Sequence, residues 1–368
     1  MKFNSEKSAI LKELLIAQEI IATKTSVSIL SNVLLIAKDA KLTIKATDVK
    51  VNFEAVIPVD VEEEGKTTVF CSKLVSIINS LPDGEIEILE KNQKLHINSI
   101  SKKVKFQLNT ISDTDFPSFI EPEDSISIEI PAIELKKMIT NTIFAVSEDQ
   151  ARYFMNGICM HISQGNMLFV ATDGRRLSYI KKQFNLNESY ENEIIIPTKI
   201  LNVIHKKLTE NGNVSIYLNE KYIFFNFANY KFSSPLIEGK FPNYEKVIPE
   251  KQEFSFEVNR KEFLEALKRV SLLVEKEFNR VYLEISSGKL VISSNEKEIG
   301  AVNEEIPCNF VGNNTVFALN YSYLEDPIKV MESDDVKIQF NDTEHAMTIL
   351  SLPKQDFFHI VMPMRKEE

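Results

Sequence analysis

Leu168-Phe-Val-Ala-Thr-Asp-Gly-Arg-Arg-Leu177 is the stretch of sequence from which the fold can be worked out. Its apolar run predicts a buried strand, Thr-Asp-Gly predicts a tight turn, and the two arginines lead into a second strand. Related triplets occur at Ala46-Thr47-Asp48 and at Ser293-Ser294-Asn295. The three triplets are almost evenly spaced along the chain, which predicts an internal repeat.

The same order of predicted elements surrounds each triplet. A short strand leads into a helix with apolar residues at helical spacing, followed by the strand–turn–strand unit, a second shorter helix and alternating strands. Asn4 or Ser5 is the predicted N-cap of the first helix and Asn259 that of the fifth, while Pro327 predicts a short or kinked last helix. The six predicted helices cover residues 5–20, 72–80, 131–146, 198–210, 259–273 and 320–332.

This order predicts an α+β protein of three repeated domains, each with two helices and an antiparallel sheet. The expected domains are 1–123, 124–251 and 252–368. The alternative is three α+β domains that only look alike, and the shared order of elements disfavours it.

The composition is typical of a soluble globular protein, with 43% hydrophobic and 26% charged residues among 368. No apolar run is long enough to span a membrane, and the N-terminus lacks the apolar core of a signal peptide. We therefore expect a cytoplasmic protein. The cysteines, Cys71, Cys159 and Cys308, lie far apart, so we expect no disulfide framework, no metal and no cofactor.

The net charge of −10 argues against a strongly basic nucleic-acid binder. The acidity lies mainly outside the six predicted helices, which are mildly basic as a group. Lysine pairs such as Lys136-Lys137 and Lys206-Lys207 are typical of ordinary solvated helix faces. If the six helices share one surface, that surface attracts phosphates while the outside repels them.

Three separate segments combine apolar residues with arginine or proline. They are residues 172–177, Phe241-Pro-Asn-Tyr-Glu-Lys-Val-Ile-Pro249 and the C-terminal His359-Ile-Val-Met-Pro-Met-Arg365. An apolar C-terminus is unusual, because chain ends are commonly polar and frayed. Two interpretations are open: the tail is a last strand in the core, or it forms part of a flexible apolar groove for varied partners.

At these segments the sequence resembles the bacterial sliding clamps, the β subunits of DNA polymerase III, along its whole length. The matching segments are Arg152-Tyr-Phe-Met-Asn-Gly157, Ala171-Thr-Asp-Gly-Arg-Arg-Leu177, Leu236-Ile-Glu-Gly-Lys-Phe-Pro-Asn-Tyr244 and Val361-Met-Pro-Met-Arg365. The resemblance implies a processivity factor that is not an enzyme. Two protomers of three clamp domains each would close into a six-domain ring around duplex DNA, with helices lining the hole.

The resemblance also implies partners and the sites that bind them. Short peptide motifs of the DNA polymerase III α subunit, the clamp loader, other polymerases and repair proteins would enter a hydrophobic cleft. Its apolar residues would bury peptide side chains, and Arg176 and Arg365 would donate hydrogen bonds to the peptide. The implied cleft residues are Met155, Thr172, Gly174, Arg175, Arg176, Leu177, Pro242, Val247, Phe278, Asn320, Tyr323, Val361, Met362, Pro363, Met364 and Arg365.

Two further sets of residues follow from the resemblance. The candidate DNA-facing residues are Lys7, Lys12, Lys24, Lys73, Lys136, Lys199 and Lys206. The dimer interface would contain Phe106 and Leu108 on one side and Leu272 and Leu273 on the other. Charge sign suggests that Lys103 and Lys105 pair there with Glu298, Glu304 or Glu305. Arg175 stands where the family commonly has another residue, often His, so the peptide preference is expected to differ.

Two other classes of function compete with this one. An enzyme is disfavoured because the chain contains no phosphate-binding glycine loop, no nucleophile elbow and no His-Glu-x-x-His motif, and its five histidines show no ligand spacing. A monomeric peptide-binding scaffold without a DNA partner is the second rival. Sedimentation distinguishes it from a ring, because the scaffold would run as a single chain.

Overall fold

A computed structural model describes residues 1–21, 28–123, 125–274, 278–294 and 300–365. Within these residues the chain forms short antiparallel strands and six α-helices in three similar successions, called here the first, second and third repeats. The expected α+β fold with two helices and antiparallel sheet in each repeat is confirmed. No helix in the described ranges combines the length and apolar character that crossing a membrane requires.

The first repeat contains nine strands and two helices. They are β1 (Lys2–Glu6), α1 (Lys7–Ile20), β2 (Asn32–Lys38), β3 (Lys41–Thr47), β4 (Asn52–Pro58), β5 (Asp60–Glu63), β6 (Gly65–Phe70), α2 (Cys71–Ser80), β7 (Glu85–Lys91), β8 (Lys94–Ser99) and β9 (Lys105–Ile111).

The second repeat has the same order without a counterpart of β5. Its elements are β10 (Ile126–Pro131), α3 (Ala132–Thr140), β11 (Gly157–Ser163), β12 (Asn166–Thr172), β13 (Arg176–Gln183), β14 (Asn192–Pro197), α4 (Thr198–His205), β15 (Asn213–Leu218), β16 (Tyr222–Phe227) and β17 (Tyr230–Pro235).

The third repeat closes the described chain. Its elements are β18 (Phe254–Asn259), α5 (Arg260–Ser271), β19 (Arg280–Ser286), β20 (Lys289–Ser293), β21 (Asn303–Pro307), β22 (Asn309–Phe310), β23 (Thr315–Asn320), α6 (Tyr321–Val330), β24 (Asp335–Phe340), β25 (Met347–Leu352) and β26 (Phe357–Val361).

Helix ends differ from the sequence prediction where side chains compete for backbone groups. The helix predicted over 131–146 stops at Thr140, because Asn141 Nδ2 and Thr142 Oγ1 donate to carbonyls of its last turn at 2.9 and 2.7 Å. Helix α4 likewise ends at His205 rather than at residue 210. Helix α6 is short, as Pro327 predicts, yet it passes through this proline to Val330.

The N-cap predictions had mixed outcomes. Asn259 is confirmed, since its side chain accepts from the N–H groups of Lys261 and Glu262. The prediction of Asn4 or Ser5 as the N-cap of α1 is wrong, because both residues lie in β1. Glu6 occupies the cap position, and its side chain makes no capping hydrogen bond.

The chain divides into two compact units, residues 1–135 with 199–236 and residues 136–198 with 237–368. The first unit contains one sheet with the strand order β10-β15-β16-β17-β4-β3-β2-β6-β9-β8-β7-β1-β5. The second contains a sheet ordered β14-β11-β12-β13-β26-β25-β24-β18-β22 and a smaller one ordered β21-β20-β19-β23. Each larger sheet therefore combines strands from two successive repeats.

The junction between successive repeats is built in the same way in each unit. In the first unit β17 pairs antiparallel with β4, and Phe232 lies opposite Phe53. In the second unit β26 pairs antiparallel with β13, and His359 lies opposite Ser178. The last strand of one repeat thus pairs with the strand that follows the Thr-Asp turn of the repeat before it.

Helices cover the sheets with one apolar face. Ile10 and Leu14 of α1, and Phe263 and Leu267 of α5, are completely buried. Burial of one such side chain contributes about 1.5–3 kcal/mol to the stability of the folded protein. The i, i+4 spacing of these residues is the periodicity from which the helices were predicted.

Candidate functional site

The Thr-Asp turn of the second repeat is closed by its own side chains. Thr172 Oγ1 accepts from the N–H of Gly174 at 3.0 Å, and Asp173 Oδ1 accepts from the N–H groups of Arg175 and Arg176 at 2.9 and 3.0 Å. Short polar side chains close turns by such bonds two or three residues ahead. The predicted turn role of Asp173 is confirmed.

The first repeat contains the same turn. Thr47 Oγ1 accepts from the N–H of Val49 at 2.9 Å. Asp48 Oδ1 accepts from the N–H groups of Lys50 and Val51 at 3.0 and 2.7 Å. The identical bonds show that the Thr-Asp pair determines the local backbone in both repeats.

The residue after the aspartate distinguishes the two copies. Val49 and Gly174 have positive φ angles of 77° and 88°, which are unfavourable for a β-branched residue and accessible to glycine. A Cβ atom at Gly174 would lie 2.9 Å from Nη1 of Arg152. This nitrogen is the end of a flexible side chain, so the positive φ angle is the stronger reason for glycine at this position.

In the third repeat the hairpin begins at Lys289 as it begins at Asn166 in the second, so Ser294 rather than Ser293 corresponds to Ala171. The predicted triplet is therefore shifted by one residue, and Asn295 lies outside the described residues.

Arg176 is held by the protein on several sides. Its Nε donates to Asp173 Oδ2 at 3.1 Å, its Nη1 to Asp326 Oδ2 at 2.6 Å and its Nη2 to the carbonyl of Phe144 at 2.5 Å. Its guanidinium carbon lies 4.7 Å from the centre of the Tyr323 ring. These bonds use three of the five N–H donors of the guanidinium, so the role of Arg176 toward a ligand stays a prediction.

A buried histidine lies next to this cation. His359 is 1% exposed, and its Nδ1 lies 2.9 Å from Ser178 Oγ on the neighbouring strand. Burial, to which the positive charge of Arg176 adds, lowers the pKa of His359 to about 3. The imidazole is therefore neutral at neutral pH.

The apolar residues predicted for the cleft form a buried set and an exposed set. Leu177 and Val361 are 3% and 1% exposed and belong to the core. Val247, Met362 and Phe278 are 53%, 41% and 40% exposed. These three side chains present apolar surface that a bound partner could remove from water.

Of the two interpretations of the C-terminal tail, the core strand is confirmed, and the apolar groove stays a prediction. The tail is a core strand as far as Val361, where β26 ends. Beyond it, the N–H of Met362 donates to the carbonyl of Arg175 at 2.9 Å, and the N–H of Met364 donates to the carbonyl of Ala318 at 2.7 Å. From Met362 onward the tail is thus a backbone-anchored segment with an exposed apolar side chain.

The other predicted cleft residues lie on several elements of the second unit. Asn320 caps α6, since its Oδ1 accepts from the N–H of Ser322 at 2.9 Å. Burial raises the pKa of the half-buried Tyr323, and the Asp173 carboxylate adds to this effect. By exposure, Met155 and Thr172 are buried, Pro242, Asn320, Tyr323, Pro363 and Met364 are half-buried, and Gly174, Arg175, Phe278 and Arg365 are exposed.

Sequence reasoning missed three side chains of this region. Tyr153 is 53% exposed and packs beside Gly239, where a Cβ would lie 3.6 Å from its ring. Its place in a segment that carries the family resemblance was a usable signal. Phe144 and Asp326 carried no signal, because their partner Arg176 is distant in sequence. No cluster of three metal-ligating side chains occurs among the described residues.

Several of the candidate DNA-facing lysines are already paired. Lys7 donates to the carbonyl of Leu81 and to Asp83. Lys199 donates to Asp48 Oδ2 at 2.6 Å and to the carbonyl of Ile20 at 2.8 Å. Both lysines are therefore paired within the first unit, and their role toward DNA stays a prediction.

The remaining candidate lysines differ in exposure. Lys206 is exposed and pairs with Glu19 at 3.0 Å. Lys12 and Lys73 are exposed and Lys136 is half-buried, and none of the three forms an ion pair within the described part of the chain. Lys24 lies outside the described residues.

Strand β9 has the features of an unprotected edge. None of its seven residues is buried, and Phe106 and Leu108 are half-buried. On one side it pairs with β8, whereas on the other only Thr110 and Ile111 meet β6. An edge strand with free backbone groups and apolar side chains is a template for pairing with another chain.

The third repeat also has an edge strand, β21, which ends the smaller sheet of the second unit. Leu272, after helix α5, is 81% exposed, and Leu273 is half-buried. Arg269 binds Glu304 of β21 through Nε and Nη2 at 2.9 and 2.5 Å, and this contact lowers the pKa of Glu304. Glu305 pairs with Lys289 at 3.0 Å, and Glu298 lies outside the described residues.

The chain matches three family models along almost its whole length. The N-terminal, central and C-terminal domains of the DNA polymerase III β subunit match residues 1–120, 129–243 and 245–365. The β sliding clamp of Treponema pallidum is 48% identical over 371 residues, which cover all of both chains. That of Pseudomonas aeruginosa is 30% identical and covers 99% of this chain and 100% of its own.

Solved structures agree with these matches. A sliding clamp from Bartonella birtlesii bound to griselimycin has a TM-score of 0.95 at 29% identity, with 100% of both chains covered. A sliding clamp from Pseudomonas aeruginosa bound to griselimycin has a TM-score of 0.94 at 30% identity, also with 100% of both chains covered.

Proposed function

The chain belongs to the family of DNA polymerase III β subunits, the bacterial sliding clamps, and on this premise we propose how it closes a ring and holds its partners. A sliding clamp is a processivity factor in DNA replication and not an enzyme. We propose that two copies form a six-domain ring around duplex DNA, that the domains extend over 1–123, 124–251 and 252–368, and that the protein works in the cytoplasm.

The repeated junction carries this proposal. Strand β17 ends the second repeat and pairs with β4 of the first, and strand β26 ends the third repeat and pairs with β13 of the second. Strand β9 ends the first repeat, which has no preceding repeat in the same chain. The same rule is satisfied if β9 pairs with β21 of a second copy. Applied twice about a two-fold axis, this pairing closes a ring and removes both exposed edges.

The existing junction supplies the register of the proposed one. Asn98 lies opposite Lys105 in the first repeat as Asn226 lies opposite Lys231 in the second. On the other side, Lys289 lies opposite Pro307 as Lys41 lies opposite Pro58, and Ser293 lies opposite Asn303 as Lys45 lies opposite Glu54, so Asn303 corresponds to Glu54. Lys231 and Glu54, which pair at 3.6 Å, therefore have Lys105 and Asn303 of the second copy as their counterparts, and Glu304 stays bound to Arg269.

A disulfide experiment tests this register. The double variant Lys105→Cys, Asn303→Cys is expected to give a covalent dimer on mild oxidation, because opposed residues in paired strands bring Cβ atoms to about 4.5–5.5 Å. The matched control, Lys105→Cys with Glu304→Cys, places the second thiol on the opposite face of β21 and is expected to stay unlinked. Equal linkage in both variants, or none in either, would overturn the proposed closure.

The ring explains how an acidic protein holds DNA. Encirclement retains DNA by topology, so the inner surface needs only weak attraction to phosphates, and strong contacts would slow sliding. Lys12, Lys73 and Lys136 carry charges without an ion pair among the described residues, and we propose them as the principal phosphate contacts. Lys206 can contribute when it leaves Glu19, because exposed ion pairs are weak.

The exposed apolar surface of the second unit is the proposed peptide-binding cleft. Met362 and Val247 would bury apolar side chains of the polymerase III α subunit, the clamp loader, other polymerases and repair proteins. Arg175 and Arg365 are exposed at this surface and are the proposed donors to the peptide backbone or to a carboxylate. We also propose that griselimycin, which is bound in the two related structures, binds here.

A further inference from the structure

Arg176 connects three elements in addition to the paired strands. Its guanidinium links the Thr-Asp turn through Asp173, the segment after α3 through the carbonyl of Phe144, and helix α6 through Asp326. Its side chain is only 13% exposed. A guanidinium this deeply placed keeps one orientation only while its partners remain, because an unpaired buried charge is costly.

This guanidinium also determines the position of Tyr323. It lies between two aromatic rings, 4.7 Å from the centre of Tyr323 and 5.7 Å from the centre of Phe144. Tyr323 and Asp326 are three residues apart on α6, so both side chains face the same side of the helix. Helix α6 therefore carries both the carboxylate that orients Arg176 and the ring against which Arg176 packs.

We propose that Asp326 is a positioning residue of the peptide-binding cleft, which holds Arg176 and, through it, Tyr323 and the Thr172–Leu177 turn in the binding arrangement. The inference rests on the proposed peptide-binding function and extends it to a residue that need not touch the ligand. When Asp326 loses its charge, Arg176 is free to turn outward, and the wall formed by Tyr323 loses its support.

The junction in the first unit provides a matched control. There Lys199 donates to Asp48 Oδ2 at 2.6 Å, so the aspartate of the same turn again receives a cation. Asp48 has an 11% exposed side chain and belongs to none of the proposed cleft elements. Asp48→Asn thus removes an equivalent charge without touching the network of Arg176.

Binding of griselimycin, measured by calorimetry, tests the proposal. Asp326→Asn is expected to weaken binding about tenfold, and Asp48→Asn is expected to leave it unchanged. In an Arg176→Met background, Asp326→Asn should cause no additional loss, because it acts through that arginine. Asp326→Glu, which keeps the charge, should restore part of the affinity.

Labelling with 3-fluorotyrosine gives a second measurement, the fluorine chemical shift of Tyr323. A general loss of stability in the folded protein would not change this shift. The fluorine signal of Tyr323, assigned by its absence in Tyr323→Phe, should shift in Asp326→Asn and stay in place in Asp48→Asn. Wild-type affinity in Asp326→Asn, or losses that add in the double variant, would overturn the role of Asp326 alone. Failure of the wild-type protein to bind would overturn the proposed cleft and this inference with it.

Discussion

The buried His359 predicts a specific dependence of stability on pH. Its pKa in the folded protein is about 3, against an ordinary value of 6.5. Below about pH 6.5 the unfolded chain therefore binds a proton that the folded chain excludes. Stability is complete above this pH and falls by about 1.4 kcal/mol per pH unit as the pH drops toward the folded pKa. At about pH 5.5 the expected loss from His359 is about 1.4 kcal/mol.

The test uses variants that remove this single titration. In His359→Asn, an amide group takes the place of Nδ1 beside Ser178, so the variant loses packing at every pH but has no imidazole to protonate. The difference in unfolding free energy between about pH 7.5 and pH 5.5 should be smaller in this variant than in the wild type by about 1.4 kcal/mol. His345→Gln is the control, because His345 has a 76% exposed side chain and pairs with Asp342 at the surface.

Titration of the imidazole by nuclear magnetic resonance measures the same quantity directly. The His359 ring is expected to remain neutral throughout the range in which an exposed histidine takes up its proton. A midpoint near 6.5 for His359, or an unchanged pH dependence in His359→Asn, would refute the reasoning from burial.

Three further changes have defined outcomes. Leu273→Asp places an unpaired charge at the proposed dimer interface and should give monomers in sedimentation, and an unchanged dimer would refute the interface. Ending the chain after Val361 keeps β26 but removes Met362, Pro363, Met364 and Arg365, so calorimetry should detect a dimer that no longer binds griselimycin; retained binding would exclude the tail from the cleft. Val49→Gly relieves a positive φ of 77° and should raise the unfolding free energy by about 1 kcal/mol, whereas a decrease would show that no strain is stored there.

Local chemistry explains why the fold could be predicted from the sequence. The Thr-Asp pair bonds to backbone groups two and three residues ahead, so Thr47-Asp48 and Thr172-Asp173 make the same turn wherever they occur. Apolar residues at helical spacing located the first helix of each repeat, and the repeated order of elements located the second. The end of α3 was predicted too late, because the polar residues Asn141 and Thr142 also occur within helices, and their bonds to backbone carbonyls are visible only in the structure.

Long-range partners explain why the candidate site could be predicted only in part. The partners of Arg176 could not be predicted, because Asp326 and the carbonyl of Phe144 approach it from distant parts of the chain. The contact of Lys199 with Asp48 also joins distant parts of the chain, and it has no signal in the sequence. Charge and residue type indicate what a side chain can bind, whereas its actual partner depends on the tertiary structure.

Retention on circular DNA tests the central claim, that a closed ring holds DNA by topology, most directly. The protein is loaded by its clamp loader onto nicked circular DNA and separated from free protein by gel filtration. It should stay with the circle and leave when a single restriction cut makes the DNA linear. A protein that remains bound to the linear molecule with unblocked ends, or that never stays with the circle, would contradict encirclement.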